Sequence, residues 1–227
     1  KLNALIGPSD THSDGDFNLD AFIQDRFLDL IKYQNISYAE SYSDFINKIR
    51  VALKKNDLDD NSLLEATARS LFKLMAYKDE YEVARAYTDK SYRLKLEAQF
   101  DGDYKIKFHF APPLFAARDP VTGQPLKKEY GSWMWWALKT LAPLKILRGS
   151  VFDPFGYLGE RKKERQLVFN YQSLLREIIE NLTSENYQLA IELASLPMQI
   201  RGFGRIKTLA IKDFEVEEKR ILNKFRT

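Results

Sequence analysis

The residues best suited to bind a charged ligand lie in the segment IRGFGRIK at 200–207. Arg201, Arg205 and Lys207 place three cations around two glycines in this segment. Glycine lets the backbone approach another surface closely, and a guanidinium binds a phosphate or carboxylate through two parallel hydrogen bonds. The segment therefore predicts an anion site. The alternative is a helix C-cap followed by exposed arginines.

The segment KLMAYKDEYEVAR at 73–85 is dense in ionisable residues. In a helical register Lys78 lies four residues before Glu82, and Arg85 lies three residues after it, so both could pair with this carboxylate. One interpretation is a solvated face of ion pairs, each worth about 0.2 to 0.5 kcal/mol. The other is a buried polar latch between helices or against another domain.

The segment FDPFGY at 152–157, followed by GERKKER, joins an Asp-Pro turn to the start of a basic helix. Free N–H groups at a helix start attract anions, so a phosphate near Gly156 to Arg161 is one interpretation. An ordinary loop with a capped helix is favoured, because the glycine spacing of a phosphate-binding loop is missing.

Three tryptophans, Trp133, Trp135 and Trp136, surround Met134. Such bulky groups usually lie in a core or an interface, because each indole buries a large area. Stacking against an aromatic substrate is the alternative. Indoles so close in sequence diverge around a helix, and this divergence disfavours stacking against a substrate.

The chain lacks the residues that several kinds of catalytic chemistry require. It contains no cysteine, which excludes disulfides and thiolate-bound iron–sulfur clusters. Its two histidines, His12 and His109, are too few and too far apart in sequence for a metal site. There is no Gly-x-Ser-x-Gly turn that would present an activated serine. We expect the chain by itself to be non-catalytic and to bind no metal.

Charge and hydropathy restrict the partners. The net charge is +3, from 35 basic and 32 acidic residues, which gives no large field to attract nucleic acid. The richest apolar stretch, WMWWALKTLAPLKIL, is broken by lysines and Pro143 and is shorter than the roughly 20 residues that cross a bilayer. We expect a soluble, cytoplasmic protein that binds neither nucleic acid nor a membrane.

The remaining pattern is mainly helical. Apolar residues recur at three- and four-residue steps from Asp20 and predict an antiparallel helix pair, while alternation in DYKIKFHF predicts a strand near 103–110. The turn-rich segment after it predicts a hairpin with its tip near Thr122-Gly123. The predicted fold is a mainly α domain with one small antiparallel β-hairpin. Residues 1–18 are predicted to form a linker or tether, and 19–227 a single domain with the β insertion near 102–130.

Later helix boundaries and the core follow from the same periodicity. Thr183 or Ser184 is predicted to start a helix that ends at Pro197. The last helix is predicted to turn Ile206, Ala210, Phe214, Ile221, Leu222 and Phe225 inward. The predicted core includes Leu71, Phe72, Phe108, Leu174, Leu175 and Ile178.

The chain resembles one family through four segments: KLMAYKDEYEVAR, HFAPPL at 109–114, FDPFGY with GERKKER, and IRGFG at 200–204. In content, order and spacing they are similar to the C-terminal domain, of unassigned role, in the fused indolepyruvate ferredoxin oxidoreductases. The resemblance runs from about residue 20 to the end. One position departs: His-Val is expected after RGFG, and Arg205-Ile206 stands there, so a role of that histidine does not carry over.

The resemblance implies a parent enzyme that uses thiamine diphosphate, Mg²⁺ and an iron–sulfur cluster. Such an enzyme converts an aryl-2-oxo acid, coenzyme A and oxidised ferredoxin into acyl-coenzyme A, carbon dioxide and reduced ferredoxin. Those cofactors would lie in its other segments, and this chain would be an accessory domain for packing, docking or gating. Its partners would be the remaining domains and, through them, ferredoxin; a homo-oligomer is also compatible.

Two further interpretations stay open at this point. The chain could be a ligand-binding module that contacts coenzyme A or the oxo acid through Arg201, Arg205 and Lys207. It could instead be an independent helical protein-interaction domain that exposes its tryptophans.

Overall fold

A computed structural model describes residues 17–227, apart from residues 101, 103, 104, 113–115, 118, 121–124 and 203. The predicted hairpin tip near Thr122-Gly123 and nearly all of the predicted tether lie outside the described residues. The tether and the tip therefore stay predictions.

The described residues form nine α-helices and one small sheet. The helices are α1 (Leu19–Tyr33), α2 (Ile36–Lys55), α3 (Ser62–Met75), α4 (Glu80–Thr88), α5 (Lys90–Glu97), α6 (Trp133–Leu141), α7 (Gly159–Asn181), α8 (Tyr187–Ser195) and α9 (Arg205–Phe225). Two 3-10 helices, Ala142–Leu147 and Leu196–Gln199, directly follow α6 and α8.

The two strands pair antiparallel. Strand β1 (Phe108–Phe110) pairs with β2 (Lys128–Tyr130), with His109 opposite Glu129. The prediction of a mainly α protein with a small antiparallel β element is confirmed. The regular strand covers only the end of the alternating segment.

Short polar side chains set several helix starts. Asn18 accepts a hydrogen bond from the backbone of Ala21, and Asn35 accepts one from the backbone of Tyr38. Each such cap satisfies an N–H group that has no partner inside its helix. The caps lie just before α1 and α2, which pack against each other as the predicted helix pair.

The chain divides into two compact units. The inserted unit is residues 78–151, and the main unit combines residues 17–77 with residues 152–227. The inserted unit contains α4 to α6, the sheet and the first 3-10 helix. All other helices belong to the main unit.

Each unit has its own apolar core. In the main unit the apolar faces of α3 and α7 are buried, including Leu71, Leu174, Leu175 and Ile178. In the inserted unit Phe108 packs with Ala84, Met134 and Leu138. All six predicted core residues are buried, which confirms that part of the prediction.

Two local predictions were wrong. Helix α8 begins at Tyr187 rather than at Thr183 or Ser184, because Thr183 and Asn186 first form a turn in which each side chain accepts a backbone N–H of the other. Ile206 was predicted to face inward and is 68% exposed. It lies in the first turn of α9, about 80° around the helix from buried Phe214.

Candidate functional site

We call residues 200–207, together with Lys73, the basic turn. The segment leaves the second 3-10 helix and enters α9, and Lys73 lies near the end of α3. Gly202 and Gly204 both have positive φ angles, of +90° and +55°. L-residues rarely adopt this region, so the two glycines give the turn its shape.

Gly202 is also held by close packing. A Cβ atom at this position would lie 2.6 Å from Cγ2 of Ile206 and 3.1 Å from its Cβ. The exposed Ile206 therefore covers the glycine instead of entering the core.

Lys73 reaches the basic turn from a distant part of the sequence. Its Nζ donates hydrogen bonds to the backbone carbonyls of Pro197, at 3.1 Å, and of Met198, at 2.8 Å. Burial, together with the smaller effects of the charges of Arg201 and Lys207, lowers the pKa of Lys73 from 10.5 to about 8. Arg201 and Lys207 are therefore both close enough for their charges to act on Lys73.

Lys207 has a carboxylate partner. Its Nζ lies 2.6 Å from Oε1 of Glu164, and the two side chains are 27% and 11% exposed. Because Glu164 is nearly buried on α7, Lys207 neutralises a charge that water reaches poorly. This cation therefore links α9 to α7 through an ion pair.

Arg201 is different. It is exposed, and it makes no hydrogen bond or ion pair with any residue that the structure describes. Arg205 begins α9, and its side chain is outside the described part. Of the three predicted cations, Arg201 and Lys207 thus each act on Lys73 through their charge. Their contact with coenzyme A or an oxo acid stays a prediction.

Sequence reasoning missed Lys73 and Glu164 as members of this site. Lys73 is the first residue of the segment KLMAYKDEYEVAR, and Glu164 belongs to GERKKER. Three of the four segments that carry the family resemblance therefore meet at the basic turn. That clustering of unusual segments was the available signal.

The segment 73–85 also contains a buried ion pair. Asp79 accepts hydrogen bonds from Nε of Arg148 at 2.5 Å and from Nη2 at 2.9 Å, and both side chains are 3% exposed. Asp79 also caps α4 by accepting from the backbone N–H of Glu82. The predicted pairing of Glu82 with Arg85 is present on α4, where the two side chains are 15% and 34% exposed. The buried pair is formed by Asp79, which the prediction did not name.

The FDPFGY loop is ordered by its own aspartate. Asp153 is buried and accepts a hydrogen bond from the backbone of Phe155. A Cβ atom at Gly156 would lie 2.7 Å from Oδ2 of Asp153, so only glycine fits there. Nη2 of Arg165 donates to the carbonyl of Gly156. These contacts support the interpretation as a structured loop before α7.

The prediction that the indoles of α6 diverge was wrong for one pair: the ring centroids of Trp135 and Trp136 lie 5.1 Å apart, edge to face. Met134 is buried and Trp135 half-buried, whereas Trp133 and Trp136 are 59% and 64% exposed. The Nζ atom of Lys139 lies over the rings of Trp135 and Trp136, at 5.1 and 5.3 Å from their centroids. The structure gives Lys139 no carboxylate partner among the described residues.

The sequence model of DUF6537, a protein family of unknown function, matches residues 19–220. The chain belongs to this family. No curated protein and no solved structure matches the chain significantly. The match to DUF6537 spans both units and includes the basic turn, the Asp79–Arg148 pair and α6.

The described part of this DUF6537 chain contains no group of three or more His, Cys, Asp or Glu side chains that could hold a metal ion. None of its described helices combines the length and the apolar character that crossing a membrane requires.

Proposed function

We propose that this DUF6537 chain is an accessory domain of an enzyme similar to the indolepyruvate ferredoxin oxidoreductases, and that it docks on the other domains of that enzyme through α6. The four segments described above support the choice of parent enzyme. The exposed indoles of α6 support the docking role. The chain would position or gate the catalytic domains and leave the chemistry to them.

The observation that carries the docking role is that α6 is apolar on two faces. Met134 and Leu138 face the core of the inserted unit. Trp133, Trp136 and Ala137, which lie on another face at steps of three and four residues, are exposed. A helix that is apolar all round is typically covered on all sides. Exposed groups of this size commonly mark an interaction surface.

The charge of Lys139 specifies the partner further. This ammonium lies over two indoles and has no carboxylate partner among the described residues. A covering surface would have to offer both an apolar groove for Trp133 and Trp136 and a carboxylate for Lys139. We assign this surface to the remaining domains of the parent enzyme.

Oxidative footprinting of the tryptophans tests the docking role. In the intact enzyme Trp133 and Trp136 should be oxidised at least ten-fold more slowly than in the isolated chain. Phe169, which is 59% exposed on α7, is the control for general shielding. Equal oxidation rates of the indoles in both forms would contradict docking through α6 and favour an independent interaction domain.

A second measurement asks whether docking matters for activity. Replacing Trp133 and Trp136 by serine in the intact enzyme should lower ferredoxin reduction with an aryl-2-oxo acid and coenzyme A. Phe169→Ser is the matched control, because it also removes an exposed aromatic side chain. Unchanged activity and assembly in the double variant would remove the proposed role.

The iron–sulfur cluster of the proposed parent does not fit this chain. Without cysteine the chain lacks the usual ligands of such a cluster. We therefore assign thiamine diphosphate, Mg²⁺ and the cluster to other domains. Calorimetric titration of the isolated chain with thiamine diphosphate and Mg²⁺ should show no uptake. Micromolar binding would contradict this assignment.

A further inference from the structure

We propose that the docking surface of the inserted unit extends from α6 onto α5, and that an acidic, partly apolar surface of the parent enzyme's remaining domains holds α5 as a helix. This inference rests on the proposed docking through α6. It adds the second half of the surface and the charge of the partner that covers it.

Helix α5 has too little packing to be stable by itself. It is eight residues long, and none of its side chains, all of which the structure describes, is buried. Helices shorter than about 12 to 15 residues are marginal in water, and in proteins most of their stability comes from a packed apolar face. Tyr92 contacts Tyr87 of α4 edge to face, at 5.5 Å between the ring centroids. Leu94, about 200° around the helix from Tyr92, is 65% exposed, so this side of α5 lacks a cover.

The contacts of α5 lead directly to the indoles of α6. The guanidinium carbon of Arg93 lies 5.8 Å from the ring centroid of Trp135. The ammonium of Lys139 lies over the same ring and over the ring of Trp136. Helix α5 and the exposed indoles of α6 therefore belong to one continuous surface. A partner that covers Trp136 also reaches α5.

The charge of this surface specifies an acidic partner. Lys90 and Lys95 of α5 and Lys139 of α6 are exposed, and none of them forms an ion pair with a residue that the structure describes. The carboxylate of Glu97 on α5 is already paired with Arg93, at 2.8 Å. A purely apolar cover would bury the ammonium groups without partners, at a large cost in free energy. Carboxylates on the covering surface would pair with them.

The distribution of charge along the chain agrees with an acidic partner. Residues 78–151 contain 13 of the 35 basic and 9 of the 32 acidic residues, so the inserted unit has a net charge of +4. The whole chain has a net charge of +3, so the segments outside the unit together have −1. The excess positive charge is thus concentrated in the unit that contains α5 and α6.

Hydrogen exchange of the backbone amides tests the role of α5. In the isolated chain residues 90–97 should exchange within about ten-fold of the rate of an unstructured peptide, whereas the amides of α4 stay protected. In the intact enzyme residues 90–97 should exchange at least about 100-fold more slowly than in the isolated chain. Equal exchange of α5 in both forms would overturn the inference.

The outcome for α5 is distinguishable from the outcome for α6. If the indoles of α6 are shielded from oxidation in the intact enzyme while α5 exchanges as fast as in the isolated chain, the inference about α5 fails and docking through α6 stands. If neither is shielded, both fail.

A substitution at Leu94 links the two helices in the intact enzyme. Leu94→Ser should speed both the exchange of α5 and the oxidation of Trp133 and Trp136 at least three-fold. Val51→Ser on α2 is the matched control, because Val51 is 66% exposed and also lies on a helix. It should change neither rate. No effect of Leu94→Ser would overturn the place of α5 in the docking surface.

Charge reversal tests the acidic character of the partner. Lys95→Glu and Lys139→Glu should each speed the exchange of α5 in the intact enzyme at least ten-fold, because carboxylates would then face carboxylates. Lys54→Glu makes the same change at an exposed lysine of α2 and should have no such effect. A clear effect of Leu94→Ser without any effect of the two reversals would overturn the assignment to an acidic surface.

A lipid surface is the competing occupant, because exposed indoles and lysines also bind anionic membranes. Phosphatidylserine vesicles added to the isolated chain should leave the exchange of α5 and the oxidation of the α6 indoles unchanged. Protection by these vesicles as strong as that in the intact enzyme would overturn the assignment to a protein partner.

Discussion

Arg201 and Lys207 carry the same charge in different surroundings. Lys207 neutralises Glu164, whose side chain is 11% exposed, whereas Arg201 is exposed and has no ion pair among the described residues. Sequence reasoning treats the two cations as equivalent. The structure separates a cation that pairs with a nearly buried carboxylate from one that is exposed.

We therefore expect Lys207→Ala to destabilise the chain by about 1 to 3 kcal/mol, because it leaves a nearly buried carboxylate without its partner. Arg201→Ala should change the free energy of unfolding by less than about 0.5 kcal/mol. Urea unfolding of both variants measures the difference. The double variant Glu164→Gln with Lys207→Met is the control and should recover part of the loss; equal stabilities of the two alanine variants would contradict the assignment.

Lys73 predicts a dependence of stability on pH. Its pKa in the folded chain is about 8, below the ordinary value of 10.5, so between these values the unfolded chain binds more protons than the folded chain. The stability of the wild type, relative to Lys73→Met, should therefore increase as the pH rises from 8 towards 10. Urea unfolding of both proteins at pH 7 and pH 10 checks the sign. The exposed Lys212, replaced by methionine, is the control, and a decrease with pH would show that the direction is wrong.

At the scale of an element, the turn before α9 depends on Gly202. Any side chain there meets Ile206 and must also adopt a positive φ angle. We expect Gly202→Ala to lower stability by about 1 to 2 kcal/mol. Thermal and urea unfolding measure the change.

Gly159 is the matched control for that substitution. It opens α7, has no atom within 4 Å of an added Cβ and shows no positive φ angle. Gly159→Ala should be neutral or stabilising by up to about 1 kcal/mol. Equal effects at Gly159 and Gly202 would show that the turn tolerates a side chain.

At the scale of the whole molecule, the Asp79–Arg148 pair lies close to both ends of the inserted unit. Asp79 follows the first residue of that unit, and Arg148 stands shortly before its last residue, Val151. The pair thus joins the segments by which the chain enters and leaves the unit. Its side chains are 3% exposed, so loss of one partner leaves a buried charge.

Arg148→Met should therefore cost about 3 to 5 kcal/mol. Hydrogen exchange should show faster opening of residues 78–151, with the core of the main unit less affected. The double variant Asp79→Asn with Arg148→Met removes both charges and keeps a side chain that can cap α4, so it should recover much of the stability. A single variant as stable as the wild type would contradict the importance of the pair.

Sequence by itself determined the helical class and most of the core. Apolar residues at three- and four-residue steps specify an amphipathic helix whatever it packs against, so Leu71, Leu174 and Ile178 were correctly predicted as buried. The antiparallel pairing of the strands was also predictable. Capping preferences predicted helix starts less well: Thr183 and Asn186 form a turn of their own before α8, so the helix begins later than predicted.

Only the tertiary structure decided which charged groups meet. Glu164 and Lys207 are far apart in sequence, and no periodicity relates them; they form an ion pair because α7 and α9 belong to one compact unit. The same holds for Asp79 and Arg148. Secondary structure is set by neighbouring residues, whereas a charged site depends on contacts between distant segments, and these exist only once the helices have packed.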